Sequence, residues 1–125
     1  MKFLLVLILG VIAAWPGLAL AGSGWYLLAA PQVGPYDERE ETYPSWLGTN
    51  APLSSWQHLG AYDSAQACEA AKREQGRIAL DVFKGVQAKA DRATEYGAKW
   101  YANSRMYMIG LTYSRCVASD DPRLK

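Results

Sequence analysis

The chain predicts a small α+β domain: an antiparallel sheet of about three strands, one or two helices packed on it, and one disulfide. Three observations point there. Short aromatic and aliphatic runs sit between turn residues, as strands do. An alanine-lined segment carries helix start and stop signals. Two cysteines, Cys68 and Cys116, lie far apart in a chain that opens with an export leader.

The first strand is residues 24–30 (G-W-Y-L-L-A-A), short, apolar and closed by Pro31. Residues 31–55 form a long connection rich in Pro, Gly, Ser and Thr, with the acidic run Asp37-Glu38-Arg39-Glu40-Glu41. Loops of this length are usually functional or disordered, and Tyr43, Trp46 and Leu47 are able to pin this one to the domain. Residues 53–62 (L-S-S-W-Q-H-L-G-A-Y) read as the second strand, anchored by Trp56, Leu59 and Tyr62.

Residues 63–75 read as the clearest helix. Asp63 suits the N-cap, Gln66 completes a capping box, and Gly76 suits the stop. Residues 78 to about 101 read as a second helix, whose buried stripe is Ile78, Val82, Val86, Ala90 and Ala93, widened by Leu80 and Phe83. Gly85 and Gly97 each weaken it by up to ~1 kcal/mol relative to Ala. Residues 105–118 read as the last strand. Tyr107, Ile109, Leu111, Tyr113 and Val117 share one parity and Cys116 the other. Two arrangements reconcile an apolar row opposite Cys116 with a cysteine facing a helix. Either Gly110 is a bulge that shifts the register, or both faces of the sheet are covered.

Residues 1–21 form the leader. Lys2 supplies a positive n-region, residues 3–15 an apolar core, Pro16-Gly17 a helix break, and Ala19-Leu20-Ala21 a small-x-small site before Gly22. This is the order of a cleavable signal peptide, leaving one domain over 22–125. The alternative is a retained anchor, since no charge falls between Phe3 and Tyr36. A spanning helix needs about 20 apolar residues, and the run before Pro16 is shorter.

The chain holds 13 Lys+Arg and 12 Asp+Glu. Removing Lys2 leaves 12 against 12. Such neutrality argues against nucleic acid and against a polybasic membrane-surface role; membrane attachment is expected only through a retained leader. Two cysteines in an exported chain read as one disulfide, Cys68–Cys116, worth about 4 kcal/mol in the chain-entropy model. Free buried thiols or a redox pair are the alternatives, the latter disfavoured because redox cysteines usually sit close together, as in C-x-x-C. No cofactor is expected, and one histidine cannot complete a metal cluster.

Candidate chemistry is thin. His58 near Ser54 and Ser55 suggests a nucleophile and base, but odd spacing on a strand turns Ser55 and His58 to opposite faces. The acidic run lacks the alternation and turn glycine of a calcium loop. Asp120 and Asp121 fit an ordered turn with a salt bridge to Arg123 better than acid–base work. The aromatics are more suggestive: of five Trp and eight Tyr, Tyr36, Tyr43, Trp46, Tyr96, Trp100 and Tyr101 fall in loops or near helix ends, and Tyr43, Trp46, Trp100 and Tyr101 are the candidate contact residues.

Three blocks carry a resemblance: Trp25-Tyr26-Leu27-Leu28, Asp63-Ser64 with Cys68-Glu69, and the closing run from Cys116-Val117-Ala118-Ser119 to Asp120-Asp121-Pro122-Arg123-Leu124. In them the chain resembles a group of small exported bacterial proteins of unknown function. The resemblance implies a periplasmic or secreted location and paired cysteines, and no activity. The expectation is a non-enzymatic interaction module with an unidentified protein partner. The alternative is an accessory subunit of an inner-membrane complex, held by an uncleaved leader.

Overall fold

The structure, a computed structural model, describes residues 24–39 and 44–125. The leader, Glu40, Glu41 and Tyr43 lie outside the described residues. A three-stranded antiparallel sheet has β1 (Trp25–Ala29) at its centre, β2 (Gln57–Tyr62) on one edge and β3 (Arg115–Ala118) on the other. Two helices, α1 (Ala65–Lys89) and α2 (Glu95–Thr112), form an antiparallel hairpin between β2 and β3. One disulfide, Cys68–Cys116, joins the first turn of α1 to β3 with Cα atoms 6.0 Å apart. The α+β class, the three-stranded sheet and the disulfide expected from the sequence are all present.

β1 is buried on both sides, which settles the parity question. Leu27 pairs with Cys116 and Gly60, and so faces α1 through the disulfide. Leu28 points the other way, into a cluster of Ala30, Trp46, Leu47, Leu53, Trp56 and Val117, with Met106 and Ile109 of α2 against it. Both leucines are fully buried. The register shift lies between Leu27 and Leu28, where Leu59 of β2 is the extra residue, and not at Gly110. On the α1 side Tyr62 folds across Gly60, where a Cβ would meet the Tyr62 hydroxyl at 2.6 Å.

The connection closes on itself. Gln32 bridges to Leu47, Val33 N–H donates to Trp46 C=O at 2.7 Å and Gly48 N–H to Pro31 C=O at 2.7 Å. Residues 53–55 are a 3-10 turn, so the second strand begins at Gln57 rather than 53. Trp56 is buried, its indole N–H donating to Ala51 C=O at 2.9 Å. At the tail, Pro122–Leu124 form another 3-10 turn. Asp121 accepts from the Arg123 backbone N–H at 2.9 Å and pairs with its guanidinium at 2.7 Å, the ordered turn the sequence suggests.

The helices depart most from expectation. The N-cap is Ser64, not Asp63: its hydroxyl accepts from Ala67 N–H at 3.0 Å, so Gln66 falls one position short of a capping box. α1 does not stop at Gly76. Among the described residues no glycine takes a positive φ, and Arg77 pairs with Glu74 at 2.7 Å and Asp81 at 3.0 Å, bridging the turns around Gly76. The helix ends at Lys89, and Thr94 starts α2 by accepting from Gly97 N–H at 3.0 Å. What reads as one helix over 78–101 is thus the end of α1 and the start of α2. Residues 105–112 are helix, not strand. Tyr, Ile and Thr there favour a strand, but Met106 and Ile109 gain burial against the loop-side cluster only on a helix, and packing overrides propensity.

Candidate interaction surface

The hairpin seam is set by Ala79, Phe83 and Val86 of α1 and by Gly97, Tyr101 and Leu111 of α2. The rings of Phe83 and Tyr101 meet at 5.4 Å. Gly97 is required: a Cβ there would run into the Asp91 carbonyl. Ile78 and Val82, expected in the buried stripe, are 47% and 52% exposed. Each lies one residue before a seam position, about 100° round the helix.

α2 has the same relation to its seam. Tyr96, Trp100 and Tyr107 are 79%, 40% and 54% exposed; Tyr96 and Trp100 precede the seam residues Gly97 and Tyr101, and Tyr107 lies about two turns beyond Trp100. Their spacing of four and seven puts them on one stripe, and the Tyr96 and Trp100 rings lie 6.4 Å apart. In an antiparallel pair, residues offset the same way from the seam lie on the same side of the hairpin. Ile78, Val82, Tyr96, Trp100 and Tyr107 therefore share one face. Leu80, offset the other way, and Val33, in the loop, stand apart from it.

Tyr107 also lines a groove of about 330 Å³, with Leu59 and Gln57 of β2, Met106, Gly110 and Leu111 of α2, and Trp46 and Leu47 of the loop. The exposed stripe thus runs into a concavity beside the β2 edge. The opposite flank of α2 is occupied by the loop: the Arg105 guanidinium donates to the Tyr36 hydroxyl at 2.7 Å, Tyr36 packs edge-on to Trp46 at 5.3 Å, and Arg92 pairs with Glu38 at 2.8 Å while lying over the Tyr101 ring at 4.0 Å.

The four candidate contact aromatics part company. Trp100 is on the face. Tyr101 is half-buried in the seam under Arg92. Trp46 is 2% exposed, a core residue whose indole N–H has no acceptor among the described residues. Tyr43 lies outside the described residues. Tyr96 and Tyr107 join the face instead, together with Ile78 and Val82; the 96–100–107 spacing carries that signal once the segment is known to be helical.

Three carboxylates are engaged by neighbouring arginines. Asp37 is held below the usual carboxylate range by hydrogen bonds from Arg39, and Glu74 by those from Arg77. Asp121 is lowered to about 2, chiefly by the Arg123 guanidinium. His58 is exposed and stacks edge-on to Tyr26 at 4.6 Å, while the Ser55 hydroxyl donates to Pro52 C=O at 2.7 Å. Among the described residues no group of His, Cys, Asp and Glu is placed to hold a metal, and no helix is long and apolar enough to cross a membrane. No family model, no curated protein and no solved structure matches this chain.

Proposed function

We propose that the protein is an exported, non-enzymatic interaction module, periplasmic or secreted, whose contact face is the flank of the α1–α2 hairpin. The observation that carries this reading is the stripe of exposed Tyr96, Trp100 and Tyr107 running into the groove that Tyr107 lines. Large aromatics are the side chains that dominate binding energy at protein interfaces, and a monomer rarely leaves such a patch in water. The disulfide supports export, because such bonds persist in oxidising compartments. Two measurements test the proposal. Association of the exported protein with its cellular partner is expected to fall about tenfold or more in Trp100→Ala, and unchanged association in Trp100→Ala and Tyr107→Ala removes the face from consideration. Intact mass separates the free module, beginning at Gly22, from a subunit anchored by its leader.

A further inference from the structure

Resting on that reading, we infer that the partner covering the hairpin face is a second copy of the same chain, docked about a two-fold axis with the two α1 helices antiparallel. A two-fold contact has to be self-complementary: whatever one copy presents on one side of the axis must fit what it presents on the other. The exposed stripe of α1 has this property. Its residues are Glu74, Ile78, Val82, Gly85 and Lys89, spaced four, four, three and four. With the axis between Asp81 and Val82, Glu74 of one copy faces Lys89 of the other. Ile78 faces Gly85, where a Cβ would find nothing within 4 Å, so the stripe offers a projection and a recess at matching distances from the axis. Lys89 makes no ion pair among the described residues. Glu74 is paired with Arg77 yet has 59% of its side chain exposed, which leaves it open to a second cation.

α2 follows the symmetry to within about two residues. The Phe83–Tyr101 contact fixes the stagger of the hairpin. It puts Trp100 level with residue 84 and Tyr107 level with residue 77, on opposite sides of the same axis and about two residues, or ~3 Å, from exact exchange, a gap that two large rings span. Trp100 of each copy thus approaches Tyr107 of the other. Along α2 no like charges oppose the approach, because Arg105 is the single charge between Trp100 and Thr112 and it is turned to Tyr36; beside the axis on α1, Asp81 is paired with Arg77 at 3.0 Å. The five exposed side chains present roughly 500 Å². With the flanking Glu74, Gly85 and Lys89 that approaches the ~800 Å² per partner of a standard stable interface.

Sedimentation equilibrium of the purified exported protein, disulfide intact, tests this. Twice the chain mass is expected at micromolar concentration. Ile78→Lys and Trp100→Ala are expected to raise the dissociation constant about tenfold or more. Gly85→Leu fills the recess from an exposed helix position where a Cβ meets nothing within 4 Å, so it is expected to weaken the dimer while leaving the monomer's melting temperature equal or higher. Lys89→Glu and Glu74→Lys each weaken association, and the double reversal E74K/K89E restores it. A monomer throughout the micromolar range overturns the inference, as does a dimer indifferent to both Ile78→Lys and Trp100→Ala, or single charge reversals that the double reversal fails to rescue. A monomer that instead binds another protein, or phosphatidylglycerol vesicles, in a Trp100-dependent way also overturns the second copy but leaves the contact face standing. A monomer with no Trp100-dependent association of any kind removes both readings.

Discussion

At the sheet end of the molecule, Leu27, Leu28 and Cys68 are fully buried, both faces of β1 are covered, and a covalent bond ties α1 to β3. Along the hairpin, Ala79, Phe83 and Val86 are buried while Ile78, Val82, Tyr96, Trp100 and Tyr107 remain in water. One region holds its apolar side chains inside and spends them on stability. The other holds a narrow seam inside and leaves these five large side chains out. The difference teaches where to expect folding energy and where to expect recognition: substitutions at the sheet end change whether the chain folds, and those on the hairpin flank change what it touches.

That division can be broken by measurement. Removing the disulfide by paired Cys68→Ala and Cys116→Ala is expected to cost about 4 kcal/mol in denaturant unfolding, because the bond closes a 48-residue separation. An effect below about 1 kcal/mol would mean that the sheet end is not organised around the bond. Next in size, Leu28→Ala is expected to cost about 3 kcal/mol, whereas exposed Val82→Ala stays within about 0.5 kcal/mol in the monomer. Equal costs at the two sites would erase the contrast. Within the hairpin the glycines divide the same way. Gly97→Ala forces the Asp91 carbonyl aside and is expected to destabilise by more than about 1 kcal/mol, while Gly85→Ala, in open space, stabilises α1 by up to ~1 kcal/mol. Chemical denaturation of both variants checks the pair.

The smallest effect concerns the tail. Asp121 is lowered from 3.8 to about 2 in the folded chain. A depressed carboxylate adds stability that is present above its unfolded value and disappears as pH falls through the folded one. Thermal melts between pH 4 and pH 2 are therefore expected to show a small acid-induced loss that Asp121→Asn reduces. A loss of the same size in that variant assigns it to other carboxylates, such as Asp37 and Glu74.

What could be read in the sequence was what local chemistry decides. Trp25 to Ala29 announces a strand by its aromatic and aliphatic run and the proline after it. Asp121, Pro122 and Arg123 announce a turn. The sequence misplaces the break because Gly76 looks like a stop, whereas the chain turns after Lys89, where the Asp91 carboxylate accepts from Ala93 N–H and Thr94 caps the start of α2. Residues 105–112 alternate plausibly as a strand, and only contact with Trp46 and Leu28, distant in the chain, makes them helical. A one-residue offset hides the face: a seam placed at Ile78 and Val82 instead of Ala79 and Phe83 turns the exposed flank inward.

The solvent access of Trp100 also has an optical consequence. Of the tryptophans in residues 22–125, Trp46 is 2% and Trp56 3% exposed, Trp25 is half-buried on the central strand, and Trp100 is 40% exposed. A water-soluble quencher such as iodide therefore reaches chiefly one indole. The protein carries its own emission probe in the middle of the hairpin flank, and shielding of that probe reports cover over the flank without a label.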